Sequence, residues 1–407
     1  MVSASAIIRP IRSTWVRRPV EWQDQCMKNQ VTEMFSIDMP IFAFTHCRDV
    51  VAAVTKAGGL GVLGAVGLSP RQLEIDLQWI EEEVDGKPYG VDLIVPAKYA
   101  GSDEGGMSVG SINAMIPDEH RQYLNQILEK YDVPPLEEDS KRSGGFDMKD
   151  DAAAPMSAAS QMPNLEIALA FSPSLMVNAL GPPPAVMTNR CHEAGIKVGA
   201  LAGKAQHAER HVNAGVDLII AQGYEAGGHT GEIASMVLIP EVVDAVGDTP
   251  VLGAGGIGRG RQMAAAMALG AQGVWCGSVW LTTEEAETHP IVKGKMLTAT
   301  SSDTIRSRSR TGKHARQLKS SWTDEWENPD TPMPLGMPMQ PVLIDEAIAR
   351  INRSAHREGS GAADLANYFV GQIVGSMNKT KPTTQVVYEM IEEFIEATEG
   401  LNTQING

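Results

Sequence analysis

The chain has 407 residues, with 34 basic against 50 acidic side chains and a formal net charge of −16. So acidic a protein is poorly suited to nucleic acid, because neutralising phosphates requires a basic surface. Hydrophobic residues make up 43%, enough for a substantial core, and forty glycines against seven each of Trp, Tyr and Phe point to many tight turns and close backbone approaches.

Cys26, Cys47, Cys191 and Cys276 form no C-x-x-C pair. Neither a disulfide framework nor a metal site is expected, and a reducing cytoplasm fits this usage. The opening segment M-V-S-A-S-A-I-I-R-P lacks the apolar run of a signal peptide. Of two long uncharged stretches, 167–189 carries Pro173 and Pro182 to Pro184, while 262–283 divides at Gly270 into a helix and a strand. Neither reads as a membrane span.

After an N-terminal arm over 1–38, short apolar runs alternate with amphipathic segments. Strands are predicted at 39–45, 60–65, 89–95, 165–171, 196–201, 218–222, 250–254 and 273–278. Helices are predicted at 49–57, 70–84, 183–194, 205–214, 235–246 and 259–269. Several helices close on a common phrase: K-A-G-G, E-A-G-I, N-A-G-V or A-L-G-A. In each, an alanine packs, a glycine turns the chain and an apolar strand follows. Eight such units predict an α/β fold, a (β/α)8 TIM barrel over 39–283. A doubly wound open sheet is the alternative, and the even spacing after residue 195 favours the closed barrel.

The rhythm breaks over 97–164, an insertion after the third strand that holds 12 acidic and 6 basic residues. A lid and a solvated loop are both compatible with that composition. Lys98 and Tyr99, directly after strand 3, are candidates to line a substrate pocket. The C-terminal extension over 284–407 contributes a proline and methionine run and helical segments at 343–356 and 384–398. It is expected to form a small helical cap on the barrel rather than a separate folding unit.

Glycine-rich segments carry the chemistry. V-L-G-A-G-G-I-G-R-G matches G-x-G-x-x-G through Gly253, Gly255 and Gly258, after a strand and before a helix. A dinucleotide fingerprint needs an acid about 20 residues on, and G-V-W-C-G-S-V-W supplies none. With Gly277 and Ser278 at the end of strand 8, the segment reads better as a barrel site for one phosphate monoester. A-Q-G-Y-E-A-G-G-H-T-G, from Ala221, closes strand 6. Gln222 is an amide able to face a heteroaromatic ring, Gly227 and Gly228 leave room for a flat ligand, and His229 suits proton transfer near neutrality.

The phrases P-I-F-A-F-T-H, A-G-G-L-G-V-L-G, Q-G-Y-E-A-G-G-H-T-G, G-A-G-G-I-G and G-V-W-C-G-S occur here in order. In that order they resemble the FMN-dependent nitronate monooxygenase family, across strands 1 to 8. The resemblance implies an FMN-containing barrel with Gln222 and Gly227 against the isoalloxazine and Gly255, Gly256, Gly277 and Ser278 at the phosphate. It makes His229 the base that handles the nitroalkane or positions its nitronate. Ala43, Phe44, Asp92, Gly228, Trp275 and Cys276 complete the expected cofactor contacts, and His46 joins Lys98 and Tyr99 at the substrate. Two departures bear on the substrate. Asp92 stands where the family usually has asparagine, and aspartate donates to flavin only when protonated. Strand 1 ends in A-F-T rather than A-P-M.

Other features have plainer readings. His207 and His211 are spaced i, i+4 like metal ligands, but no third ligand is near, so a solvated helix is expected. Cys47 after strand 1 reads as packing or a contact at the flavin edge. The segment 306–319 has six basic residues and no acid. It is read either as surface charge pairing with the acidic insertion or as an attractor for an anionic substrate, a nicotinamide phosphate or a carboxylate. Three functions follow: oxidation of nitronates with O2 to carbonyl compounds and nitrite, an NAD(P)H-dependent reductase of quinones or enoyl thioesters, and a non-catalytic phosphate or FMN barrel. The expected partners are a small-molecule substrate and O2, with NAD(P)H in the reductase reading. No nucleic acid or membrane is expected, and a homodimer is compatible with the composition.

Overall fold

A computed structural model describes residues 27–96, 107–136, 148–149, 151–153, 157–357 and 359–406. Helix α1 (Gln30–Phe35), capped by the Asn29 side chain, leads into β1 (Ile41–Thr45), α2 (Arg48–Lys56), β2 (Leu60–Gly64), α3 (Pro70–Val84) and β3 (Gly90–Leu93). Helices α4 (Val109–Ala114) and α5 (Asp118–Lys130) fall within the insertion. The barrel resumes with α6 (Ala158–Phe171), β4 (Leu175–Asn178), α7 (Ala185–Glu193), β5 (Lys197–Ala202), α8 (Ala205–Asn213) and β6 (Leu218–Gln222). A two-residue β7 (Gly228–His229) precedes α9 (Ser235–Val246), β8 (Val251–Ala254), α10 (Gly260–Ala268) and β9 (Gly273–Cys276). The extension holds α11 (Pro290–Thr298), β10 (Thr304–Ser307), β11 (Ala315–Leu318), α12 (Ser321–Trp326), α13 (Met339–Ser354), α14 (Ala362–Leu365) and α15 (Thr383–Asn406).

Strands β1 to β6, β8 and β9 run parallel and close when β9 pairs with β1. This is the (β/α)8 barrel. Alternation divides each strand between two cores. Phe42, Val62, Val177, Ile220, Leu252 and Trp275 fill the interior, while Ala43, Leu63, Val91, Met176, Val274 and Cys276 face the helices. Local signals set the helix ends. Ser69 accepts from the Gln72 N–H ahead of Pro70 at the start of α3, and Gly215 and Gly270 end α8 and α10 with φ of +83° and +100°.

One strand expectation is corrected. Residues 165–171 are the end of α6, and the fourth strand is Leu175–Asn178. The run L-E-I-A-L-A-F is apolar on nearly every side, so periodicity alone does not separate a buried helix from a buried strand. The interval drawn as an insertion therefore includes the first turns of α6, which packs against α3 as a barrel helix.

The tail is more than a thin cap. A second hydrophobic core joins Tyr123, Leu124, Ile127 and Leu128 of α5 to Trp322, Trp326, Leu343, Ile344 and Leu365 of the extension. The Tyr123 hydroxyl donates to the Glu325 carbonyl at 2.6 Å, and Arg350 donates to the carbonyls of Val133 and Pro134. Helix α15 instead joins the barrel core through Val387, Met390 and Ile391. No helix among the described residues is long and apolar enough to cross a membrane.

Trp322, fully buried, is one of two tryptophans in the second core. Trp322→Ala should cost about 3–5 kcal/mol of stability. Hydrogen exchange should then speed up in α5 and α12 to α14 while the barrel strands stay protected. Uniform loss of protection across both regions would show that the two cores unfold as one.

Candidate active site

The C-terminal ends of the barrel strands form a mouth lined by main chain and aromatic rings. Phe44 stacks on Trp275 with ring centres 5.9 Å apart and meets His46 edge-on at 5.1 Å. The His46 Nδ1 lies 2.8 Å from the Gly64 carbonyl oxygen. A Cβ on Gly64 would fall 2.7 Å from the His46 ring and 2.8 Å from Phe44, so glycine there makes the aromatic shelf possible. Trp275 and Gly277 alternate onto the inner face of the β9 end, and a Cβ on Gly277 would sit 3.6 Å from Phe44.

The segment after β6 is held by the extension as well as by the barrel. β10 and β11 form an antiparallel hairpin, and β11 pairs with β7: Ala315 opposite His229, Arg316 opposite Gly228. His229 Nε2 lies 2.8 Å from the Thr311 hydroxyl oxygen, which also sits 3.1 Å from the Lys313 carbonyl. When the Thr311 proton goes to that carbonyl, His229 donates from Nε2 and keeps the Nδ1 lone pair. Burial, aided by the Lys313 charge, lowers the His229 pKa to about 4. The imidazole is therefore neutral at pH 7, but burial puts its pKa well below the near-neutral range expected from sequence, which makes it a weaker base.

Two guanidiniums grip Tyr224. Arg316 and Arg306 lie 4.5 and 4.9 Å from the centre of its ring. Arg316 also donates to the Tyr224 carbonyl, and Arg306 to that of Thr230. Glu225 accepts from the Ser235 N–H and hydroxyl at the start of α9, and its carbonyl accepts from the Gln372 N–H. A Cβ on Gly227 would lie 2.8 Å from the Gly371 nitrogen. Gly371 in turn donates to the Ser278 Oγ at 2.8 Å. Nearby, Gln262 donates to the Gly256 carbonyl and accepts from Gly258 and Arg259. The glycine ends of β8 and β9 thus meet the residue 370–372 segment on one side.

Phe44, Asp92, Gln222, Trp275 and Gly277 share the inner barrel surface near its C-terminal rim, where strand alternation puts them. Gly227, Gly228 and His229 sit under the hairpin, and Gly255, Gly256 and Ser278 lie at the adjoining turns. Ala43 and Cys276 face the helical layer, so neither side chain reaches the mouth. Burial pushes the Cys276 thiol up to about 12. Cys47 is also a packing residue, with its thiol donating to the Glu285 carbonyl at 3.0 Å. Lys98 and Tyr99 lie outside the described residues. His211, expected on a solvated helix, is instead buried, with Nε2 2.9 Å from the Leu201 carbonyl oxygen.

The basic segment is also relocated. Among the described residues, Arg306, Arg308, Arg310, Lys313 and Arg316 form no ion pair with a carboxylate, and most acids of the insertion lie outside the described residues. It folds as the hairpin beside His229. Burial lowers the Arg310 pKa to about 10, and its guanidinium lies 5.6 Å from the Phe369 ring. Arg306, Thr311 and Arg316 were read from sequence only as members of the basic segment 306–319, and Tyr224 only as part of the glycine motif, without individual roles. The period-two pattern T-I-R-S and A-R-Q-L around a turn was the available strand signal.

The nitronate monooxygenase family model matches residues 27–393. The Mycobacterium tuberculosis protein named "Putative monooxygenase Rv1533" is 54% identical over 370 residues, covering 91% of this chain and 97% of the relative. FabK from Thermotoga maritima is similar in structure, with a TM-score of 0.68, 25% identity, and coverage of 93% of this chain and 99% of that one. The nitroalkane oxidase from Streptomyces ansochromogenes shares the fold at a TM-score of 0.71 and 24% identity, with 91% and 99% covered.

A neutral, buried His229 has a direct readout. NMR titration of its ring should give a midpoint near the value of about 4 set by its surroundings, against roughly 6.5 for a free histidine. The unfolded chain takes up this proton first, so the residue lowers stability as pH falls from about 6.5 through about 4 and has no such effect above. Lys313→Met should raise the midpoint by removing a nearby positive charge. A midpoint at or above the free value in the intact protein would contradict the buried setting.

Proposed function

The chain belongs to the nitronate monooxygenase family, and on that premise we propose that it oxidises alkyl nitronates with O2 to carbonyl compounds and nitrite, using non-covalent FMN. The observation that carries this reading is His229, neutral beside the mouth and fixed by main-chain pairing to the hairpin. A positioned neutral imidazole can take the α-proton of a nitroalkane and leave the nitronate that is oxidised.

The residues present fit a flavin. Asp92 carries a buried Oδ1 with no hydrogen-bond partner, Gln222 offers an amide from the rim of β6, and Phe44 with Trp275 offers flat apolar surface. Gly277 leaves the rim open, and the turn at Gly255 and Gly256 has φ of +103° and +66°, so main chain rather than side chain meets a ligand there. Gly255, Gly256, Gly277 and Ser278 would hold the phosphate. A flavin bound in the mouth supplies the electron transfer. The hairpin cations draw an anionic nitronate toward His229.

A reductase that takes hydride from NAD(P)H is the second reading, favoured by the same cations, which also suit a nicotinamide phosphate. Anaerobic mixing with NADH separates the two, because only the reductase should bleach the flavin rapidly.

His229→Asn should retain flavin and lose roughly 10²–10⁴-fold in rate on neutral nitroalkanes. A pre-formed nitronate needs no proton removed, so its oxidation should suffer much less. Equal losses on both substrates would make His229 a positioning group instead of a base.

The cofactor prediction is read separately. Heat-released ligand should run as FMN on chromatography, and FAD would contradict it. Gly256 is a poor place to block the phosphate, because its left-handed φ and a Glu225 side chain 3.0 Å from any Cβ would strain every replacement. Gly277 has φ of −116° and ordinary contact distances. Gly277→Val should therefore fold normally and purify largely colourless; full yellow colour would place the phosphate elsewhere.

A further inference from the structure

One arginine of the hairpin turn is held differently from the others. Arg306 donates to the Thr230 carbonyl, Arg308 to that of Gly312 and Arg316 to that of Tyr224. Arg310 is half-buried and makes no hydrogen bond or ion pair among the described residues. Its guanidinium carbon lies 5.6 Å from the centre of the Phe369 ring. Tyr368, one residue earlier, feels its charge, which partly offsets the effect of burial on that phenol. Burial lowers the Arg310 pKa to about 10, so the group stays charged at neutral pH. A desolvated cation without a partner is costly, and such a group is normally matched by an anion.

Strand pairing shows which way Arg310 faces. One edge of β11 carries two partners in succession, His229 opposite Ala315 and then Phe369 opposite Gln317. Directly opposed residues of antiparallel strands share a face, as do residues two apart on one strand. His229 and Phe369 therefore project from the same face, roughly 7 Å apart along the edge at the usual rise per residue. Arg316 and its β10 neighbour Arg306 project from the other face, against Tyr224. The contact with Phe369 puts the Arg310 guanidinium on the His229 side. Arg310 also directly precedes Thr311, whose hydroxyl lies 2.8 Å from His229 Nε2. From Phe369 the chain runs on to Gly371, which abuts Gly227. A neutral imidazole, a flat ring and an unpartnered guanidinium thus converge beside the glycines of the mouth.

We propose that Arg310 holds the anionic end of the substrate, its guanidinium fork receiving the two oxygens of a nitronate while Phe369 lies against the carbon chain. This rests on the nitronate reading above. The two oxygens of a nitronate lie in one plane like those of a carboxylate, the arrangement that a guanidinium binds in bidentate fashion. When a nitroalkane is the substrate, its α C–H bond breaks and the proton goes to His229 Nδ1. The C–H pair becomes the second C=N bond, and an N=O pair moves onto oxygen. Arg310 faces that oxygen. His229 acts only where a proton must be removed, whereas Arg310 acts on the anion however it arises.

The test pairs kinetics with a binding signal that needs no turnover. In the flavin-loaded protein, R310Q should raise KM for pre-formed propane-2-nitronate roughly 10- to 100-fold, the worth of hydrogen bonds between charged groups. Its kcat should change much less, and its flavin content should not change. R310K keeps the charge without the fork and should recover part of the loss. K319Q removes an equal charge at an exposed position just beyond β11, and its KM should match the wild type. Nitrate, a planar oxyanion already fully oxidised, is the binding probe. The Arg310 Nε–H resonance, assigned by its loss in R310Q, should shift as nitrate is added. An unchanged KM in R310Q overturns the proposal and leaves the nitronate reading intact. A KM raised equally in K319Q does the same, since it would mean long-range attraction without contact. A resonance indifferent to nitrate overturns the proposal as well. A wild type that oxidises no nitronate overturns the proposed function, and with it the assignment of this anion as a nitronate.

Discussion

The site depends on a ladder only two residues long, Gly228–His229 against Ala315–Arg316. Beyond β6 the barrel offers no further strand to hold the chain, and the next regular element is α9 at Ser235. The ladder supplies that order from outside. It brings Thr311 and Lys313 to His229, and Arg306 and Arg316 to Tyr224. The hairpin is itself anchored in the second core, where Leu318 is buried and its N–H donates to the Tyr368 carbonyl. A histidine encoded in the barrel is thus positioned by hydrophobic packing almost a hundred residues later in the chain.

Main-chain contacts of this kind explain the excess of glycine over aromatic residues. At Gly227, Gly231 and Gly260 an added Cβ would meet backbone within 2.8 Å: Gly371, the Gly203 carbonyl and the Met390 carbonyl. The last contact lets α15 lie directly on α10, with Glu393 accepting from Arg259 and Arg261 at the crossing. Each position trades side-chain packing for close approach between elements. Substitution at these sites would separate the layers that define the mouth, so their effects on function would pass through the fold.

Much of the fold was legible because barrel grammar is local. Helix-closing glycines, capping residues and short apolar runs gave seven of the eight barrel strands near their observed places, among them Leu218–Gln222 and the run ending at Ala254. The fourth failed because the end of α6 and a buried strand share one composition, while the real strand, Leu-Met-Val-Asn, is too short to show a period. At the site, Gln222, Gly227 and His229 stood out through their glycine neighbours. Their partners stood out only as part of a basic segment, because Thr311 and Arg316 reach the site through tertiary pairing between distant segments. Ala43 and Cys276 were drawn in by proximity in sequence to real rim residues, and strand alternation turns both outward.

Charge follows the same division between local pattern and tertiary placement. The chain is acidic overall, yet the hairpin beside His229 gathers cations that have no carboxylate partners among the described residues. Their hydrogen bonds go to main-chain carbonyls of Tyr224, Thr230 and Gly312 and to the Thr304 hydroxyl. Glu225, one of two acids between β6 and α9, is drawn to the Ser235 N–H and hydroxyl at the start of α9, where the helix dipole favours it. That arrangement matters for His229. A carboxylate beside the imidazole would favour imidazolium and remove the lone pair, whereas Lys313 and burial act together to keep it neutral. Burial likewise raises the Asp92 pKa well above the ordinary carboxylate range, with no cation paired to it among the described residues. In both groups burial disfavours the charged form, and what is excluded from the surroundings leaves that penalty uncompensated.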